Sequence, residues 1–99
     1  MVAYEEQRAL LRCSGEEDLA TRGLRRRSFA RAVKAPCDVV VDLTELVFAD
    51  SSLILDLAIL GQRLRACERQ LLLRSPQPHV ARLIELVGLN RQPGVLLAG

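Results

Sequence analysis

The sequence predicts an α/β fold, a single domain over residues 1–99 with a largely parallel sheet of four to five strands and three to four helices. Three observations lead there. Short apolar runs alternate with longer segments of helical period, in the order strand, helix, strand, helix, strand, helix, strand. The run Val39-Val40-Val41 has three β-branched residues in succession, the pattern of a central strand covered on both faces. Helix punctuation, such as Pro78 before one apolar-periodic segment and Gly88 after it, falls between those runs.

Taken in chain order, residues 2–4 can add a very short strand, and residues 7–13 form the first clear one, bounded by Ser14-Gly15. Glu16-Glu17-Asp18 then suits the positive end of a helix dipole. That helix ends with Arg31 and Lys34 before Ala35-Pro36. Residues 37–43 make the strongest strand. Residues 53–68 read as a helix, because Leu53, Leu57, Leu60, Leu64 and Cys67 fall within about 80° of one another on a helical wheel. Residues 70–74 form a short strand around Leu71-Leu72-Leu73. Ser75 to Pro78 leads into a third helix with Val80, Leu83, Ile84 and Val87 on its buried face, and Val95-Leu96-Leu97 is a last strand.

Composition narrows the function classes. At 99 residues, 49% hydrophobic and 26% charged, the chain is sized for one core and lies away from disordered proteins. Its longest apolar stretch, residues 53–61, is interrupted by Asp56 and is far shorter than the roughly 20 residues a bilayer crossing needs, so no membrane partner is expected. The first six residues lack a secretory pattern, and Cys13, Cys37 and Cys67 share no metal-ligand spacing, which predicts reduced thiols in a cytoplasmic protein. Arg22, Arg25, Arg26, Arg27, Arg31 and Lys34 crowd one segment. They scatter around the helix, and three aromatics give little base stacking, so a solvated helix face is expected rather than nucleic-acid binding.

Function in an open parallel sheet gathers where strands pass into helices at their carboxyl ends. Residues 15–18, 44–52 and 75–78 are those places. Phe48-Ala49-Asp50-Ser51-Ser52-Leu53 puts an acid and two hydroxyls between a strand and a very apolar helix. Asp50 or Ser51 can cap that helix, which accounts for one of the three polar residues. The alternative is modification: a phosphoserine at a helix start is favoured by the dipole and adds about −1.5 to −2 charges to the surrounding surface. On the same wheel Leu55 and Ile59 lie about 200° from Leu53 and Leu57. They form an apolar patch, continued by Ala66 and bordered by Gln62, unless a neighbouring helix covers them. An enzyme is not expected. His79 stands alone, Asp42 and Asp50 make a poor magnesium site without a catalytic partner, and no phosphate-binding loop or nucleophile elbow is present.

The segments Val39-Val40-Val41-Asp42-Leu43-Thr44 and Val47-Phe48-Ala49-Asp50-Ser51-Ser52 resemble the central signature of the STAS domain, the anti-sigma factor antagonist family. There a strand reading "VVVDLS" leads through "FIDSSG" into a hydrophobic helix. Gly15-Glu16-Glu17-Asp18 resembles the family's "GELD", and Val87-Gly88-Leu89 its "TGL". Leu53 stands where the family has glycine, Glu17 where it has a hydrophobic residue, and the family's first strand looks truncated or absent. The resemblance implies a STAS-like fold without catalysis, cofactor or metal. It implies a bacterial, cytoplasmic antagonist that binds an anti-sigma factor which is also a serine kinase, regulating transcription by partner switching. Phosphorylation of Ser51, with Ser52 as second candidate, would block that binding until a serine phosphatase reverses it. The partner-binding residues would be Asp18, Asp50, Ser51, Ser52, Leu55, Ile59 and Gln62, on a monomer or homodimer. The alternative within the fold is a scaffold or transporter-associated interaction module that uses the patch without phosphorylation.

Overall fold

In a computed structural model, which describes residues 1–98, the Val39–Val41 run opens the middle strand of a five-stranded sheet. Gly99, the end of the expected domain, lies outside the described residues. The chain runs β1 (Val2–Glu5), β2 (Leu10–Glu17), α1 (Arg22–Val33), β3 (Val39–Ala49), α2 (Ser51–Ala66), β4 (Leu71–Arg74), α3 (Pro78–Val87) and β5 (Val95–Ala98). Single 3-10 turns occupy Glu6–Arg8, Leu19–Thr21 and Leu89–Arg91. Strand order follows chain order. β1 pairs antiparallel with β2, and every other neighbouring pair is parallel, so the α/β fold with a largely parallel sheet is present with five strands and three α-helices.

The core forms on one side of that sheet. Val39, Val41 and Leu43 are wholly buried, as are Leu11, Cys13, Leu71 and Leu73. They join one cluster with Ala32 of α1, Leu53, Leu57, Leu60 and Leu64 of α2, and Val80 and Ile84 of α3. Each fully buried leucine or isoleucine contributes about 1.5–3 kcal/mol of transfer free energy. Val40 is only half-buried, and with its in-register neighbours Leu10, Leu72 and the exposed Leu96 it makes a row on the opposite face. The expectation of cover on both faces therefore holds for one face only. β-branched residues suit a pleated backbone whether or not the second face is packed.

Several boundaries also differ from those expected. β2 continues to Glu17 rather than stopping at Cys13, through register shifts at Arg12/Ser14 and Gly15/Glu16, with Gly15 at φ +67°. A glycine reaches that conformation without steric cost, so the strand bends and goes on. Glu16 and Glu17 are thus strand residues, and α1 begins only at Arg22. β3 likewise runs six residues past Leu43 to Ala49, through a stretch expected to be a loop. A first strand, β1, is present and hydrogen-bonded to β2. Cys67 and Val87 are exposed rather than part of the buried helix faces, because Cys67 already lies past the end of α2 and Val87 closes α3. The sequence pattern of α3 is otherwise kept, with Pro78 in its first turn and Gly88 at φ +88° ending it.

Candidate functional site

β2 and β3 end side by side, their last paired residues being Glu17 and Ala49, and the next residue, Asp50, starts α2. The Asp50 amide donates to the Glu17 carbonyl at 3.1 Å. Its carboxylate does three things at once. Oδ1 accepts the Ser52 amide at 2.9 Å and the Ser52 hydroxyl at 2.5 Å, while Oδ2 accepts the Leu19 amide at 3.0 Å. Asp50 is therefore the N-cap of α2 and also the clasp that holds the Leu19–Thr21 turn against it. The Ser52 hydroxyl bond, followed by the backbone amides of Ser52 and Leu19, holds the Asp50 carboxyl below the usual aspartate range.

Asp18 caps that turn in its own right. Its Oδ1 accepts the Thr21 amide at 3.2 Å, and its amide donates to the Thr21 hydroxyl at 3.0 Å. The sequence expectation that Asp18 lies at the neighbouring strand end is met, one residue from the Leu19 amide that Asp50 binds.

Beneath this junction lies a residue the sequence reading put on a solvated face. Arg25 is 1% exposed. Its Nη1 donates to Glu17 Oε1 at 3.2 Å, the Asp18 carbonyl at 3.0 Å and the Thr21 hydroxyl at 3.3 Å. Nη2 donates to the Ser52 hydroxyl oxygen at 3.1 Å, and Nε to Asp56 Oδ2 at 2.9 Å. A buried guanidinium needs neutralising charge and filled donors, and Glu17 and Asp56 with the three oxygens supply both. Glu17, also buried, holds the N-terminal ammonium at 2.6 Å as well. The acid that replaces the hydrophobic residue of the "GELD" pattern is thus matched by an arginine. Charge counting along one segment cannot reveal such a pair, because its partners come from β2 and α2.

The two serines differ. Ser52 is half-buried, and its hydroxyl both donates to Asp50 and accepts from Arg25. Ser51 is exposed in the first turn of α2, and its hydroxyl has no hydrogen-bond partner among the described residues. Leu53 follows with its side chain fully inside the core, so its bulk faces away from anything approaching the serines.

Leu55 and Ile59 are 57% and 47% exposed, and Gln62 and Ala66 continue outward along the helix. Leu55 and Ile59 are left open to solvent over about half of their surface, Ile59 beside α1. Two further apolar side chains, missed in the sequence reading, flank the junction: Leu19, 68% exposed, and Phe48, 46% exposed. Phe48 carried no clear signal, since it sits between the apolar Val47 and Ala49 in the strand. Leu19 carried none, since it was counted in a helix that starts three residues later.

Asp42 is not part of this site. It sits mid-strand, accepting the Thr44 amide and hydroxyl at 3.0 and 2.6 Å, with Arg74 at 3.4 Å. The Thr44 hydroxyl, then its amide and Arg74, hold its carboxyl low. Eight residues of nearly extended chain, about 25 Å, separate it from Asp50, so the two cannot share an ion. His79 is exposed at the start of α3, where ring Nε2–H donates to the Val47 carbonyl. Cys13, Cys37 and Cys67 are unpaired, and burial pushes the Cys13 thiol up to about 12. No helix among the described residues is long and apolar enough to cross a membrane.

The family model of the STAS domain matches this chain over residues 1–96. Among solved structures, the chain is similar to that of the anti-sigma factor antagonist SpoIIAA in its unphosphorylated form, with a TM-score of 0.70 and 19% sequence identity. The match covers 98% of this chain and 84% of that one. No curated protein matches by sequence. At that identity the likeness speaks for the fold alone.

Proposed function

The chain belongs to the STAS domain family, and from that premise we propose that it is an anti-sigma factor antagonist that docks an anti-sigma factor with serine-kinase activity and is switched by phosphorylation of Ser51. One observation carries the reading: Ser51 offers an unengaged, exposed hydroxyl at the start of α2, next to exposed Leu55 and Ile59, while the hydroxyl beside it is tied down. The similar solved structure being an antagonist in an unphosphorylated form supports it.

The physical logic is local. An unmodified Ser51 leaves the exposed Leu55 and Ile59 of the same helix free for a partner to desolvate, with Leu19 and Phe48 exposed near the junction. A phosphate there meets the positive end of the α2 dipole, which favours the modified state, and adds about −1.5 to −2 charges to the rim of the docking surface. An acidic or apolar partner surface is then repelled or left facing an unpaired charge, and binding is lost without refolding. Asp18, Asp50 and Ser52 serve by holding the junction in shape, and Gln62 borders the docking face. A serine phosphatase would restore the first state. This mode of action would place the protein in the cytoplasm and give it no catalytic step of its own.

Incubation with the cognate kinase and ATP should add the mass of one phosphate, and Ser51→Ala should abolish the gain while Ser52→Ala leaves it. Wild-type protein that binds the kinase yet never gains phosphate would remove the switch from the proposal. It would leave a constitutive interaction module that uses the same apolar face.

A further inference from the structure

A groove of about 310 Å³ runs between α1 and α2 on the flank of the molecule. Its floor is apolar, made by Phe29 and Val33 of α1 with Ile59 and Leu60 of α2. On α1 the lining positions are 22, 26, 29, 30 and 33, and on α2 they are 56, 59, 60 and 63. Those spacings keep to one stripe of each helix, so the groove follows the helix axes for about 16 Å along α1 and about 10 Å along α2. An open trough of that shape takes two to three turns of a helix better than a compact molecule.

Charge completes the description. Asp56 is neutralised within the protein by Arg25 at 2.9 Å and Arg22 at 3.6 Å. Arg26 and Arg63 line opposite walls, and neither has an acidic partner among the described residues. The segment whose basic residues looked like an indifferent solvated face therefore contributes a wall of positive charge above an apolar floor.

From this geometry we infer that the α1/α2 groove is a docking site for an acidic amphipathic helix of a partner protein, with apolar residues on the floor and carboxylates reaching Arg26 and Arg63. The partner helix has apolar residues at i, i+3 or i+4, and i+7, the spacing that lays one face into a trough. Its flanks carry Asp or Glu, which steer the encounter and fix the register. The groove shares Ile59 with the docking face proposed above and otherwise stands apart from it, so either can fail alone.

The test uses a synthetic amphipathic peptide of about 14 residues, leucines on one face and glutamates on both flanks, titrated into isotope-labelled full-length protein. Saturable amide shifts are expected at Phe29, Val33 and Ile59, weakening with salt. A Glu→Gln version should bind about ten-fold more weakly. In the double variant Arg26→Glu/Arg63→Glu, whose arginines hold no ion pair among the described residues, the preference should invert, so that a lysine-flanked peptide binds better than the acidic one. Leu55→Asp should leave peptide binding unchanged. The inference is overturned if the acidic and neutral peptides bind alike or do not bind. It is equally overturned if Leu55→Asp abolishes the shifts, or if sodium decanoate fills the groove while the peptide does not.

Discussion

Two strand-to-helix junctions lie at the same end of the sheet, and they are built differently. At β3–α2, Asp50 caps the helix with its side chain, clasps the neighbouring turn through Leu19, and is joined through the Ser52 hydroxyl to a buried arginine that reaches β2 and α2. At β4–α3, Gln77 makes no side-chain cap and Pro78 sets the first turn; the Gln77 side chain donates to the Thr44 carbonyl at 3.2 Å, His79 to the Val47 carbonyl, and the Ser75 amide to the Ala98 carbonyl at 2.9 Å. Both start a helix adequately. The difference is convergence: side chains from β2, the following turn, α1 and α2 meet at the first, which makes its surface shape rigid enough to be recognised. Proline alone can begin a helix, but it recruits nothing from elsewhere in the fold.

That contrast can be tested by dismantling the first junction and improving the second. The largest effect should come from Arg25→Leu, which leaves Glu17 buried without its arginine and takes one partner each from Ser52 and Asp56. Urea unfolding should show a loss of about 3–5 kcal/mol. Adding Glu17→Leu, which restores the hydrophobic residue of the family pattern, should return most of that loss. A single variant no less stable than wild type would mean that the network contributes nothing. Next, Leu55→Asp should weaken capture of the proposed anti-sigma factor partner by about thirty-fold, an anchor-sized loss of about 2 kcal/mol, with thermal stability unchanged.

Removing the clasp itself, with Asp50→Ala, should cost about 1 kcal/mol of stability. The same residue sets an acid limb. Because its carboxyl is held below the usual aspartate range in the folded chain, the stability it adds is present above that range and is lost as pH falls through the lowered value. Asp50→Asn should flatten that limb. The smallest effect is a gain: Gln77→Asp supplies the cap that the second junction lacks and should add about 0.5 kcal/mol, read as a rise in the urea midpoint. No change would mean that Pro78 already satisfies that end.

Much of this was legible in the residues. Val39 to Leu43 announced the middle strand, the leucine stripe of α2 gave its buried face, and Leu55 and Ile59 stood outside that stripe, as they do in the fold. The signature around Asp50 identified the junction. What could not be read depends on contacts between distant segments. Thr44 and Glu45 looked like the start of a loop because they are polar, yet the backbone pairing with β2 carries the strand through them. Glu16-Glu17-Asp18 matched the charge pattern of a helix start, and only the bend at Gly15 keeps the first two in a strand. Arg25 is the clearest case. Arg22, Arg26 and Arg27 around it are exposed cations, and its burial follows from carboxylates eight and thirty-one residues away.

Leu53 anchors the start of α2. Two positions after the open hydroxyl, its side chain is sealed among the other leucines of the interior, and Ile54 beside it is sealed as well. The first turn of the helix is thus pinned from inside, and a group added at Ser51 has no leverage to rotate or unwind it. A phosphate on that hydroxyl would therefore be felt by a visitor at the doorstep, because the turn that carries it is anchored in the interior.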